Sequence, residues 1–264
     1  MCLILFAYRV HPQYPLVVAA NRDEFFDRPT QAAHFWEDAP QVLAGKDLQA
    51  QGTWMGITRQ GRFAAVTNYR QGGTPQDRPG SRGDLTRHFL TGEESSETYL
   101  SRVADQADHY NGFNLLTGDI HKLGYLSHQG HKIDDLAPGV YGLSNALLDT
   151  PWPKVQSGKS QLASLLATDV TPARLFEVLG DASQAPDEQL PETGVGIEFE
   201  RMLSSRYIHS PDSNFNYGTR TSTVLLVDHE QQVTFSERSF NGEREEIDHQ
   251  VFQFALEGSP VMHS

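Results

Sequence analysis

The sequence predicts an α+β fold, with antiparallel sheets covered by helices, on three observations. Strand-like segments cluster in groups joined by turn residues. Helical spacings fall in pairs between those groups. Alternating strand–helix–strand units, the mark of a parallel sheet, are missing. The order reads ββββ, αα, βββ, αα, ββ, within one domain over residues 1–264.

The elements follow from local chemistry in chain order. Leu3–Tyr8 is a β-rich apolar run, His11–Pro15 turns the chain, and Leu16–Ala20 returns, which makes a hairpin. Thr53–Thr58 and Arg62–Tyr69 flank the turn Arg59-Gln-Gly61 as a second hairpin. Gln71–Gly83 is rich in Gly, Pro and Arg and reads as a loop. Helical spacing follows at Leu85, Phe89 and Leu90, then at Tyr99, Leu100, Val103, Ala104 and Ala107. Phe113–Leu116, Leu123–Leu126 and Tyr141–Leu148 read as strands, the last ending in a turn. Pro153–Ala167 and Thr171–Leu179 read as helices, the second opened by Thr171-Pro172 as cap and first helical residue. Ser222–Val227, Gln232–Phe240 and a last segment at Val251–Leu256 close the chain.

Composition narrows the class. The 264 residues are 38% apolar, and 22 glycines bring that close to the usual globular share. No apolar run reaches the ~18 residues that span a bilayer, and no signal peptide is expected, because the opening apolar run has no basic region before it and is cut short by Arg9. One cysteine makes neither an internal disulfide nor a cysteine-rich zinc site. A cytoplasmic location is therefore expected. The net charge of −13 argues against a nucleic-acid partner. That charge is uneven. Residues 1–90 carry ten Lys/Arg against eight Asp/Glu, and residues 91–264 carry eleven against twenty-six. A local cationic site in the first third is compatible with this balance.

The chemistry starts at the lone cysteine, position 2. Most cysteines are small buried hydrophobes, but a small second residue permits removal of the initiator methionine. Cys2 would then carry a free α-amine of pKa roughly 7.7–8.0 beside a thiol of about 8.5. Nucleophile and base would share one residue. If the first hairpin pairs as expected, Asn21-Arg-Asp-Glu24 lies beside Cys2. There an arginine would lower the thiol pKa and an aspartate would orient the amine. Thr67-Asn-Tyr-Arg70 and Gly142-Leu-Ser-Asn145 end other strands and offer uncharged amides suited to an oxyanion. Arg220 stands at the mouth of the late apolar strand. His128-Gln-Gly-His131 has metal-ligand spacing but no further ligands, so no metal is expected.

Cys2, Asn21-Arg-Asp-Glu-Phe25, Leu43-Ala-Gly-Lys-Asp47, Gly52-Thr-Trp-Met-Gly56, Thr67–Arg70, Gly142–Asn145 and Tyr217-Gly-Thr-Arg220, taken as an ordered set, resemble the NRDE family, the Transport and Golgi organisation protein group. The resemblance implies a four-layer αββα sandwich like that of the N-terminal nucleophile (Ntn) hydrolases, with two mainly antiparallel sheets between helix layers. It implies Cys2 as nucleophile and base, Arg22 and Asp23 orienting it, and Asn68, Asn145 and Arg220 lining the site.

Asn21, Phe25, Trp54, Tyr69, Arg70, Arg78 and Arg82 are the candidate substrate contacts: aromatics near the nucleophile, and arginines on a Gly-rich loop. Together they suit a small amphipathic anion, either an acyl compound or haem. Two functions stay open. One is an N-terminal cysteine hydrolase acting on an amide or thioester, which requires no cofactor. The other is a non-catalytic carrier of haem or lipid. The sequence sets no oligomeric state.

Overall fold

A computed structural model of the chain describes residues 2–72, 76–209 and 216–257. Residues 73–75, within the expected Gln71–Gly83 loop, lie outside the described residues, as does Met1. Eighteen named strands and α-helices follow. The strands are β1 Cys2–Tyr8, β2 Leu16–Phe25, β3 Thr30–Phe35, β4 Val42–Asp47, β5 Met55–Thr58, β6 Phe63–Asn68, β7 Phe113–Gly118, β8 Leu123–Ser127, β9 Ile133–Asp135, β10 Gly139–Leu143, β11 Tyr217–Val227, β12 Gln232–Phe240 and β13 Glu246–Ala255. The helices are α1 Arg82–Thr91, α2 Ser96–Asp105, α3 Pro153–Leu166, α4 Pro172–Leu179 and α5 Ile197–Met202.

The strands form two antiparallel sheets. The first runs β10-β1-β2-β11-β12-β13 and the second β3-β4-β5-β6-β7-β8-β9. Alternation along the strands sorts side chains into three apolar layers. Ile4, Phe6, Val18, Leu225 and Phe235 meet Leu43, Ile57, Phe63 and Leu116 between the sheets. Ala64, Val66 and Leu115 pack under α1 and α2 through Leu85, Phe89, Leu100 and Val103. Leu3, Leu5, Val17 and Ala19 pack under α3 and α4 through Val155, Leu162, Leu175 and Leu179. The result is the four-layer αββα sandwich. Because both faces of β1 are covered, it reads as an unbroken apolar run rather than as an alternation.

The expected hairpins form in register: β1 pairs β2 with Cys2 opposite Arg22, and β5 pairs β6 with Met55 opposite Ala65. Thr171 caps α4 by accepting from the Arg174 N–H, with Pro172 behind it. Four expectations need correction. Strand β2 continues through Asn21-Arg-Asp-Glu24 to Phe25, past the Ala20 where the returning segment was expected to end. Strand β11 begins at Tyr217, not Ser222, because Asp23 and Glu24 of β2 supply partners for Thr219 and Gly218. Strands β3 and β4 complete the edge of the second sheet where no strand was expected. The last strand starts at Glu246, five residues before Val251.

Candidate active site

Strand β1 delivers Cys2 to one end of the inter-sheet layer. The even-numbered residues of β1 and β2 face that layer, so Cys2 and its partner Arg22 stand side by side at its rim. They open onto a cavity of about 480 Å³, in the range of small-molecule sites. Its lining includes Cys2, Arg22, Asp23, Trp54, Asn68, Arg82 and Arg220. Residues from both ends of the chain meet there because β2 lies between β1 and β11.

Backbone and side-chain bonds fix the surroundings of Cys2. The Ser144 hydroxyl lies 3.0 Å from the Cys2 carbonyl and 3.2 Å from Asn145 Oδ1. Thr67 Oγ1 donates to the Ser144 carbonyl at 2.6 Å. Asn145 Nδ2 donates to the Asn68 carbonyl at 2.9 Å, tying the loop after β10 to the end of β6. Asp23 is almost fully enclosed, and its Oδ1 accepts from Thr219 Oγ1 at 2.7 Å. The ladder shifts register between Thr219 and Thr221. Bulges of this kind re-aim a side chain, and the displaced residue is Arg220, which joins the cavity wall while donating to the Phe25 carbonyl at 3.1 Å. Gly52 and Gly83 form another part of the wall. A Cβ on Gly52 would stand 2.5 Å from the Gly83 carbonyl carbon, so the two backbones touch because Gly52 has no side chain.

Charge is closely balanced at this wall. Arg22 lies 3.6 Å from Glu24 and 3.7 Å from Asp47, and Arg28 pairs with Asp47 at 2.6 Å. Arg82 has no carboxylate within ion-pair distance among the described residues and donates to the Gly112 carbonyl at 3.3 Å. The expected drop in the Cys2 thiol pKa is corrected here. Burial of the sulfur pushes it above the ordinary value, and the Arg22 guanidinium opposes that only in part. Burial also raises Asp23, against the pull of Lys154, and raises Glu237, against the Ala33 N–H, Thr223 and Arg22. Lys154 is pushed down to about 8 by burial and by the neighbouring Arg70.

The structure brings Cys2, Arg22, Asp23, Trp54, Asn68, Arg82 and Arg220 to one cavity. The other six candidates are absent from its lining, each for a physical reason. Asn21 faces the helix layer, where Nδ2 donates to the Leu179 and Arg206 carbonyls and Oδ1 accepts from Ser222. Phe25 is exposed past the tetrad and sits edge-on to Tyr217. Tyr69 follows β6, its N–H bonded to the Gly112 carbonyl. Arg70 is buried in an ion pair with Glu200 at 2.6 Å and lies over the Trp152 ring. Arg78 donates to the Asp108 carbonyl at the surface. Asn145 is fully buried, its Nδ2 bonded to the Asn68 carbonyl. His128 and His131 lie with ring centroids 5.8 Å apart, and no group of three metal-ligand side chains occurs among the described residues.

Sequence reasoning missed Lys46, Glu237, Asp248 and Lys154. The first three line the cavity from strands whose start or function was not recognised. Lys154 carried a signal: a cation directly after the proline that opens α3.

A four-layer antiparallel αββα sandwich of this kind is the Ntn-hydrolase fold. A solved Caenorhabditis elegans ortholog of N-acylethanolamine-hydrolyzing acid amidase superposes with a TM-score of 0.51 at 13% identity, over 85% of this chain and 92% of that one. A C2A mutant of the conjugated bile acid hydrolase of Clostridium perfringens gives 0.50 at 9% identity, over 99% and 100%. Within that fold, the chain belongs to the Transport and Golgi organisation 2 family, whose model matches residues 1–242. The Bos taurus protein named Transport and Golgi organization protein 2 homolog is 41% identical, over 92% of this chain and 94% of its own. The Homo sapiens homolog is 39% identical over 90% and 93%, and the Drosophila melanogaster protein 30% over 92% and 93%. No helix among the described residues is long and apolar enough to cross a membrane.

Proposed function

We propose that this protein is an N-terminal cysteine hydrolase that cleaves an amide or thioester of an amphipathic acyl compound. One observation carries the reading: Cys2, at the head of β1 and in register with Arg22, lines a cavity of ligand size. In the proposed reaction, removal of Met1 frees the Cys2 α-amine. The amine takes the thiol proton as Sγ adds to the substrate carbonyl. Asn68 is the uncharged donor in the lining suited to the developing oxyanion. Collapse expels the leaving group with that proton and leaves an acyl-thioester on Cys2. Water, activated by the same amine, then releases the acid. The two fold neighbours are named for hydrolysing N-acylethanolamines and conjugated bile acids, which lends weight to the acyl-amide class. Arg82 is the cation best placed to meet an acidic group on the substrate.

This reading requires no cofactor. The carrier alternative uses the same cavity. Its lining contains no His or Met among the described residues, so a haem there would have Cys2 as its candidate axial ligand.

Intact mass and turnover on a panel of fatty-acyl amides and thioesters test both readings. Processed wild type is expected to lose the mass of one methionine and to hydrolyse members of the panel. Cys2→Ala should lose at least a hundredfold in kcat while keeping acyl-anion affinity within threefold. Retained Met1 together with no turnover sinks the hydrolase. A thiolate-type haem spectrum lost only in Cys2→Ala establishes the carrier.

A further inference from the structure

Residues of the Cys2 cavity form one row across the first sheet. Cys2 of β1 stands opposite Arg22 of β2, and Arg22 opposite Thr221 of β11. Thr221 stands opposite Ser239 of β12, and Ser239 opposite Asp248 of β13. Residues paired in register share a face of the sheet, and all of these line the cavity. Four strand spacings of about 4.8 Å make the row ~19 Å long. Cys2 is one end of a polar trench, and Asp248 is the other.

The row marks where the apolar layer between the sheets stops. On β13 the inward face runs from Phe254 and Phe252, packed against that layer, to Gln250 and then Asp248. On β12 it runs from Phe235 to Glu237 and Ser239. Asp248 is held in place without being neutralised. Its Oδ1 accepts from the His249 N–H at 2.9 Å, and Gln250 Nε2 reaches both carboxylate oxygens at 3.0 Å. These donors are uncharged, and no ion pair to Asp248 occurs among the described residues. The neighbouring carboxylates are engaged: Glu24 and Asp47 face Arg22, and Glu237 takes the Ala33 N–H and the Thr223 hydroxyl. Arg82 stands at the Cys2 end, where the Gly112 carbonyl accepts from it and from the Tyr69 N–H, one residue past Asn68. The cavity therefore offers a guanidinium near Cys2 and an open carboxylate at its far end.

We infer that Asp248 determines specificity: the cavity takes an extended ligand whose polar half lies along this row and ends, ~19 Å from Cys2, in an organic cation that Asp248 binds. That a bond at the Cys2 end is then cleaved rests on the hydrolase reading above, while the binding does not. Strand β13 is an edge strand, and an inward charge on an edge also discourages pairing with another sheet. That role alone would leave ligand choice untouched.

The test compares octanoyl-Gly-Gly-Gly-Gly amides of 1,4-diaminobutane and of pentylamine, which end in an ammonium and in a methyl group. Each reaches about 19 Å beyond its octanoyl carbonyl. Calorimetry on Cys2→Ala, which cannot turn them over, reads affinity alone. The ammonium probe is expected to bind at least fivefold more tightly than the methyl probe. Adding Asp248→Asn should bring the two within twofold by weakening the ammonium probe only. A general pull from the net charge of −13 would survive that substitution. Removing two glycines, roughly 7 Å, should also abolish the preference, and this comparison needs no change at position 248. The inference is overturned if the preference survives Asp248→Asn, if it is equal at both lengths, or if the ammonium probe does not bind. A wild type that binds this probe with the expected preference and leaves it uncleaved removes the hydrolase reading instead.

Discussion

At the scale of single residues, Glu237 joins the two sheets behind the cavity. It stands on β12, yet its Oε1 accepts the Ala33 N–H of β3 at 2.8 Å and its Oε2 accepts from Thr223 at 3.1 Å. Burial raises its pKa, and these two bonds with Arg22 offset that only in part. A carboxyl whose folded pKa lies above its unfolded value contributes stability that is fully present below the unfolded pKa. That stability is lost as pH rises through the folded value. Glu237→Gln removes the titration but keeps an acceptor for Ala33, and the Thr223 hydroxyl can turn to accept from the new amide. The melting temperature of Glu237→Gln relative to wild type should therefore become more favourable on going from pH 4 to pH 7. Each kcal/mol reads as roughly 2–4 °C in a domain near this size. Melting curves at the two pH values check this, and a difference that does not change with pH would show that Glu237 titrates alike in the folded and unfolded chain.

Element by element, what could be read from sequence follows how each segment is covered. Strands β1 and β2 were legible because an apolar run bounded by His11 and Pro15 can hardly be anything else. Pairing the two strands across that turn is enough to set Arg22 beside Cys2. Polar residues usually mean solvent, so the sequence alone ends the returning strand at Ala20. Here Asn21 is buried and donates to carbonyls of distant segments, buried Asp23 accepts from the Thr219 hydroxyl, and those partners are not visible locally. Strands β3 and β4 mix Gln, His, Lys and Asp with small residues, and their ladder shifts register between Gln31 and His34, so no period of two survives. Helix α5 has six residues, too few for a hydrophobic period, although its Glu200 binds the Arg70 that sequence reasoning assigned to substrate. That ion pair makes a test of α5. Glu200→Ala takes away the carboxylate balancing a buried guanidinium and should cost about 3–5 kcal/mol, whereas Arg70→Met with Glu200→Leu should recover most of the loss. Urea unfolding of the two proteins decides it. Equal losses would mean that packing of α5, and not charge, sets its stability.

Over the whole molecule the charge is lopsided, and this bears on how a ligand arrives. The chain carries −13 in all, while the cavity wall has five cations (Arg22, Arg28, Lys46, Arg82 and Arg220) against five carboxylates (Asp23, Glu24, Asp47, Glu237 and Asp248). Burial biases Asp23 and Glu237 toward their protonated forms, so the wall is less negative than the chain as a whole. An acyl anion diffusing in feels first the net negative protein. Local cations act over only about one Debye length, ~10 Å at 0.1 M salt. Raising the salt should therefore speed association by relieving long-range repulsion, and should also speed dissociation by screening the wall. A fluorescent fatty-acid anion in stopped flow, between about 10 and 150 mM salt, should show an association rate that rises several-fold. Arg82→Gln should weaken affinity roughly ten- to a hundredfold, mostly through dissociation, as expected for one lost charge-assisted contact of about 1.5–3 kcal/mol. The direction of the salt effect should survive that substitution, because it belongs to the whole surface. An association rate that falls with salt would mean the cavity's own field governs capture, and that the acidity of the last two thirds is turned away from the entrance.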